Sequence, residues 1–284
     1  MKTLTKTIFA SLILILAFIA AEIVKSPSAD SNSNGVGIFF FDVGQGDSAL
    51  IQKGNFQILI DGGPDDKVLA ELGKAMPLTD KKIEIMVLTH PHADHITGLN
   101  LILDRYEVGK VYGSGVLSSS SIYLDFLTKL KDKNPSLDVP STDSEISPFV
   151  DARLEFLWPG DKYLKQSLDN LNNSSEVARF CYFSRCLLFT GDIEIDEQTA
   201  MLAYYTNKNE LAKFQAEILK IPHHGSQNGA NQELLDAVKP KSAVISAGKD
   251  NQYGHPHQVL LDLLNKNSIQ IFQTDLEGTI IFHL

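Results

Sequence analysis

Cysteine is almost absent: the 284 residues hold only Cys181 and Cys186, which excludes a disulfide scaffold and a thiolate zinc finger. Any metal chemistry must therefore rest on imidazoles and carboxylates. Basic side chains are also scarce, with 25 Lys and Arg against 35 Asp and Glu and a formal net charge of -10. That balance excludes a protein-wide basic surface for gripping nucleic acid, so an anionic substrate has to be attracted locally. A single Trp and the lack of aromatics interleaved with basic residues exclude a long stacking track for a strand. What remains, 43% apolar and 21% charged side chains, is an ordinary globular mixture, not a disordered, collagen-like or coiled-coil one.

One apolar run stands out. Lys2 and Lys6 precede an uncharged stretch from Thr7 to Ala21 that Glu22 closes. It is shorter than the ~20 residues that span a bilayer comfortably, and it reads as a secretory signal. With Ile23 and Val24 added and Glu22 at the interface, it reads instead as a retained anchor. Residues 1–24 are thus a signal peptide or membrane anchor, 25–35, rich in Ser, Asn and Pro, a linker, and 36–284 the working domain. The expected location is extracellular, periplasmic or on the outer face of the cytoplasmic membrane, with membrane contact only through an uncleaved leader. In such a compartment Cys181 and Cys186 can oxidise across a hairpin turning at Phe183 and Ser184; two small buried strand residues are the alternative.

From Val36 the pattern is strands first: Val36 to Phe41, Ser48 to Gln52 and Phe56 to Ile60, separated by Gly, Asn or Asp turns. A helix from Asp66 to Met76, a strand from Ile83 to Leu88, a helix from Ile96 to Arg105, a strand from Val108 to Tyr112 and a helix from Ile122 to Lys133 follow. A polar connection through Pro140 and Pro148 leads to strands at Arg153 to Leu157, Val177 to Phe183 and Leu187 to Phe189. After these come a helix from Glu194 to Tyr205, a strand from Glu217 to Ile221 and a helix from Asn231 to Ala237. The chain closes with a strand from Ser242 to Ser246, a helix from Pro256 to Lys266, and strands at Ile269 to Gln273 and Thr279 to His283. The order repeats in two similar halves without a long linker. It predicts one α/β sandwich of two sheets covered by helices.

Seven of the eight histidines fall in three clusters, each after a predicted strand: His90, His92 and His95; His223 and His224; His255 and His257. The first cluster, Thr89-His90-Pro91-His92-Ala93-Asp94-His95, puts three imidazoles and a carboxylate at one strand end. Two divalent ions could share them, His90 and His92 facing one, Asp94 and His95 the other. Asp192 ends the apolar strand Leu187 to Phe189, a position from which an oxygen could bridge two ions; alone it would read as a helix cap. In Pro222-His223-His224-Gly225-Ser226, His223 is assigned to the metal, and His224 and Ser226 to a substrate phosphate, with the order inside the pair open.

Taken together, the H-x-H-x-D-H run, the Thr-Gly-Asp strand end and Pro-His-His-Gly-Ser resemble the metallo-beta-lactamase fold superfamily. More narrowly, Phe41-Asp42-Val43-Gly44-Gln45-Gly46-Asp47-Ser48, Leu59-Ile60-Asp61-Gly62-Gly63 and Tyr253-Gly254-His255-Pro256-His257 are similar to the C-terminal hydrolase domain of the ComEC family of DNA-uptake proteins. The resemblance covers nearly everything from Val36 onward. It implies a four-layer αββα sandwich and a metal set of His90, His92, Asp94, His95, Asp192 and His223, with Asp61 orienting the His loop and Asp42 and Asp47 bordering it. No His lies between residues 96 and 222, where the superfamily often has another ligand; Asn173 is a weak oxygen ligand or substrate contact in its place, or a polar turn.

The implied cofactors are two divalent ions, Zn2+ or Mn2+. The implied activity is an exported metal-dependent phosphodiesterase acting on DNA, with Asp94, His224 and His255 as catalytic groups. Tyr253 would stack on a base or pack under Gly254. Alternatives are a hydrolase of another ester, such as cell-wall phosphocholine, and a non-catalytic metal-binding surface module. The only partner implied is a phosphodiester substrate; no protein partner is identifiable.

Overall fold

The computed structural model describes residues 35–284; the leader and nearly all of the linker lie outside the described residues. Two seven-stranded sheets face each other. The first has the order β14-β1-β2-β3-β4-β5-β6 and the second β13-β12-β11-β10-β9-β8-β7. The strands of the first sheet are β1 (Gly37–Phe40), β2 (Ala49–Lys53), β3 (Phe56–Ile60), β4 (Lys82–Leu88), β5 (Glu107–Gly113), β6 (Ser136–Asp138) and β14 (Ile280–His283). Those of the second are β7 (Ser144–Ile146), β8 (Ala152–Trp158), β9 (Val177–Tyr182), β10 (Arg185–Phe189), β11 (Ile218–Lys220), β12 (Ser242–Ile245) and β13 (Gln270–Gln273). Each half runs antiparallel and then parallel: β3 to β6 pair in parallel, as do β10 to β13.

Helices α1 (Lys67–Ala75), α2 (Ala93–Arg105) and α3 (Ser121–Lys133) pack on the outer face of the first sheet. Helices α4 (Ile195–Asn207), α5 (Gln232–Val238) and α6 (Gln258–Lys266) cover the second, and a single turn, α7 (Thr274–Glu277), follows β13. The layers are therefore helix, sheet, sheet, helix. Strands with both faces covered read as continuous apolar runs, as β1 does: Ile38 and Phe40 enter the layer between the sheets while Phe39 and Phe41 meet the helices. Helix α1 buries Val68, Leu72 and Ala75 at i, i+4 and i+7, the spacing of one helical face, with each large side chain contributing roughly 1.5–3 kcal/mol.

Two strands fall inside what the sequence reads as a polar connection. β6 and β7 are three-residue edge strands, and their Ser, Asp and Glu side chains carry no apolar signal. They form because β5 and β8 present unpaired backbone to them. Helix α2 likewise begins three residues before its first large apolar position, with His92 extended at its N-cap. Cys181 and Cys186 are register partners across the β9–β10 hairpin and form a disulfide. Among the described residues no helix is long and apolar enough to cross a membrane.

Candidate metal centre

The loops that leave the C-terminal ends of parallel strands β3, β4, β10, β11 and β12 gather at one edge of the sandwich, the position where α/β sheets collect ligand-binding groups. Asp61 follows β3 and is the hub. Held at φ 56°, its buried carboxylate accepts from the Thr89 backbone (2.8 Å), the Thr89 hydroxyl (2.7 Å) and His95 Nδ1 (2.8 Å). Helix α2 can approach this loop closely only because Gly62 and Gly98 lack side chains; a Cβ on Gly98 would lie 1.8 Å from the Gly62 carbonyl oxygen.

This hub fixes ring tautomers. A carboxylate accepts, so the Asp61 bond leaves the His95 proton on Nδ1 and turns Nε2 toward Asp192, 3.3 Å away. The Thr89 hydroxyl gives its proton to Asp61 and accepts from His90 Nδ1 at 3.1 Å, so His90 also presents Nε2. His224 Nδ1 meets two acceptors, the Ser246 carbonyl (2.9 Å) and Asp47 (3.2 Å). Its Nε2 then lies 3.2 Å from Asp94 and 3.3 Å from Asp192. Three imidazoles thus aim Nε2 at the same carboxylates.

Charge follows the same geometry. Burial disfavours the imidazolium of His224, but Asp192 and Asp47 outweigh it and hold the ring well above its ordinary value. His95 is raised in the same way, against burial, by Asp192, Asp61 and Asp94. Burial works against the Asp192 carboxylate too, yet His224 and His95 keep it well below the usual range. His90 is pushed well below the ordinary imidazole value by burial and then by His95, so it stays neutral, the form that ligates.

Asp94, His95, Asp192 and His224 each offer one ligand atom, all within 4.8 Å of one another. His95 Nε2 and Asp192 Oδ1 are buried and lack a hydrogen-bond partner among the described residues. Buried polar atoms left unmade are costly, and a mixed set of imidazole and carboxylate donors suits Zn2+ or Mn2+. The residues present therefore fit a divalent ion. His90 Nε2, 4.0 Å from Asp192 and 3.0 Å from His92 Nδ1, adjoins this set.

The other anticipated residues take different positions around this cluster. The metal-facing role expected of His223 falls geometrically to His224. His223 and His224 both have left-handed backbones (φ 50° and 51°), so the chain turns sharply and directs the second ring into the cluster. His223 instead faces Glu194 at 3.3 Å and Asn172 at 3.5 Å. Asn173 accepts from the Glu194 backbone N–H at 3.3 Å, as a turn residue would. Asp42 caps its own turn by accepting from the Gly44 backbone. The Ser226 hydroxyl accepts from the Asn228 backbone. Asp47 lies behind His224. His255 stacks beside His224 with ring centroids 6.3 Å apart, and Tyr253 beside His255 at 5.7 Å.

Three contributors escape the sequence reading. Thr89 carries the Asp61 contact on to His90, and Ser175 accepts from the Asp192 backbone N–H at 3.0 Å while touching His90 Nδ1 at 3.4 Å. Lys220 is buried and forms an ion pair with Asp47, and its ammonium also donates to the Ile221 carbonyl at 2.9 Å. A lysine inside the otherwise apolar run Ile218 to Ile221 was the available signal for it.

A family model of the metallo-beta-lactamase superfamily matches residues 41–249. The chain is 28% identical over 263 residues to ComE operon protein 3 of Bacillus subtilis, covering 84% of this chain and 32% of that protein. It is 26% identical over 254 residues to competence protein ComA of Neisseria gonorrhoeae, covering 88% and 33%. The chain thus spans about a third of the length of these relatives. In fold it is similar to the metallo-beta-lactamase fold protein YhfI of Bacillus subtilis, with a TM-score of 0.56, 13% identity, and 87% and 99% of the two chains covered. Four layers, loops gathered at the strand ends and the match over most of the described residues lead to one conclusion: the chain belongs to the metallo-beta-lactamase superfamily.

Proposed function

We propose that the chain is an exported, divalent-cation-dependent phosphodiesterase that acts on DNA. The observation that carries this reading is the convergence of His90, His95 and His224 nitrogens on Asp94 and Asp192. Asp94, His95, Asp192 and His224 would hold one ion, and His90 and His92 with Asp192 a second. Divalent ions held there would lower the pKa of a bound water and offset charge on phosphate oxygens.

The chain's own groups do the rest. The Asp94 side chain is 34% exposed, so its carboxylate can accept a hydrogen bond from an attacking water and orient it. Burial and the neighbouring His224 push His255 down to about 4, so at neutral pH it is an uncharged hydrogen-bond donor. Gln45 donates to His255 Nδ1 at 3.4 Å, which leaves its proton on Nε2 for a substrate oxygen. The Lys67 ammonium lies 3.0 Å from where a Gly44 side chain would begin and makes no ion pair among the described residues. It supplies local attraction for phosphate on an acidic protein.

DNA as substrate is supported by the relative named competence protein ComA and by the motifs similar to the ComEC family of DNA-uptake proteins. Export is supported by the Cys181–Cys186 disulfide and the apolar run Thr7 to Ala21. The test is a panel: purified protein with Mn2+ or Zn2+, single- and double-stranded DNA, and bis-para-nitrophenyl phosphate. Metal-dependent cleavage of DNA and of the small diester is expected. Cleavage of the small diester with DNA intact would redirect the search to other esters, such as cell-wall phosphocholine, and no turnover with either metal would make the chain a binding module.

A further inference from the structure

Resting on the phosphodiesterase reading, we infer that Tyr253 and His255 form a stacking platform for an unpaired nucleobase beside the metal centre, which makes single-stranded DNA or a frayed end the substrate form. The loop that bears them, between β12 and α6, is built rather than slack. The Asn251 side chain accepts from the Tyr253 and His255 backbone N–H groups (3.1 and 3.0 Å) and donates to the Gly248 and His255 carbonyls (2.9 and 2.6 Å). Gln45, from the loop after β1, bridges it from the other side by accepting from Gly248 N at 3.1 Å and donating to the His255 ring. The His257 backbone N–H is held by the Gly225 carbonyl at 2.9 Å.

On this frame the rings form a ladder. Tyr253 lies 25° from parallel with His255, and His255 lies 29° from parallel with His224. The ladder leads from solvent to the ring that faces Asp94 and Asp192. Tyr253 is 57% exposed, so it does not pack beneath Gly254, around which there is open space. Nor does its hydroxyl make a hydrogen bond among the described residues. An aromatic face held open at the end of a stack, next to the phosphate-cleaving groups, suits a planar ligand ring. A base stacked there also adds affinity that the acidic surface cannot supply through cations.

The experiment compares wild type, Tyr253→Ala and Tyr253→Phe for binding and hydrolysis of a single-stranded oligonucleotide of about six nucleotides. An abasic oligonucleotide of the same length serves as reference, in Mn2+. Stacking predicts that Tyr253→Ala weakens binding and raises KM for the base-bearing strand about 10- to 100-fold. The wild-type preference for base-bearing over abasic strand should collapse toward one, and Tyr253→Phe should restore it. Equal preference in wild type and Tyr253→Ala would overturn the inference, as would a wild-type protein that binds or cleaves both strands alike or binds neither. If wild type cleaves both alike, the phosphodiesterase reading survives without the platform. If a Tyr253-dependent base preference appears in binding without cleavage, the platform stands and the phosphodiesterase reading falls.

Discussion

Replacing Lys220 with Met should be among the most damaging changes away from the metal ligands. Lys220 and Asp47 are both buried and paired, and Asp47 also holds His224. Met keeps the length of the alkyl chain but leaves the buried Asp47 carboxylate without its ammonium partner, facing His224 alone among the described ion pairs. Removing one member of a buried pair costs about 3–5 kcal/mol, because the remaining charge loses its main compensation. For a domain of this size each kcal/mol moves Tm by about 2–4 °C, so the expected fall is roughly 6–20 °C. An internal comparison sharpens the test: Lys110 and Asp138 form an ion pair at 2.6 Å, but their side chains are 40% and 44% exposed, where such pairs contribute about 0–1 kcal/mol. Urea unfolding of Lys220→Met, Lys110→Met and wild type measures both. A Lys220→Met loss of no more than about 1 kcal/mol, the surface-pair range, would show that the interior pair is solvated and that Asp47 does not depend on it.

Exchanging the adjacent histidines separates their roles. His224→Gln should weaken Zn2+ or Mn2+ binding, read by calorimetry, by more than the about 10²-fold that loss of an outer partner costs. His223→Gln should leave affinity within that bound, and the reverse order would reinstate His223 as the ligand. Binding should also release protons, since His95 and His224 are held protonated by their carboxylate neighbours, so affinity should climb with pH. Glu176 is fully buried, with neither carboxylate oxygen hydrogen-bonded among the described residues, and burial raises it well above the usual range. The folded protein then keeps a proton that the unfolded chain releases above about 4.3, so wild-type stability falls as pH rises through that window. Glu176→Leu should therefore gain on wild type from pH 5 to 8 in urea titrations; a constant gap would refute this. Reducing the disulfide, which spans a sequence separation of 5, should cost about 2 kcal/mol by loop entropy, and unchanged stability in reductant would count against its formation in solution.

Much of the architecture is written locally. Apolar runs covered on both faces mark β1 to β5 and β8 to β12, and 3.6-residue spacing marks the helices, so element order and the αββα layering are legible without coordinates. The metal centre is legible in kind for a similar reason: imidazoles and carboxylates placed directly after apolar strands have few structural uses in common. The short edge strands β6 and β7 are not legible, because three polar residues carry no period and pair only where a neighbour's edge awaits them.

Residue types at each strand end are a property of the primary structure, and they make a candidate cation-binding centre available. Which members meet is set by the folded chain. His223 and His224 are chemically identical neighbours, and a pair of left-handed backbone residues selects between them. Lys220 stands in an apolar run with nothing local to name its partner until Asp47, far away in the chain, is folded against it. Local patterning reports periodicity and burial, whereas partner choice depends on backbone dihedrals and contacts between distant segments, which exist only once both sheets have closed on each other.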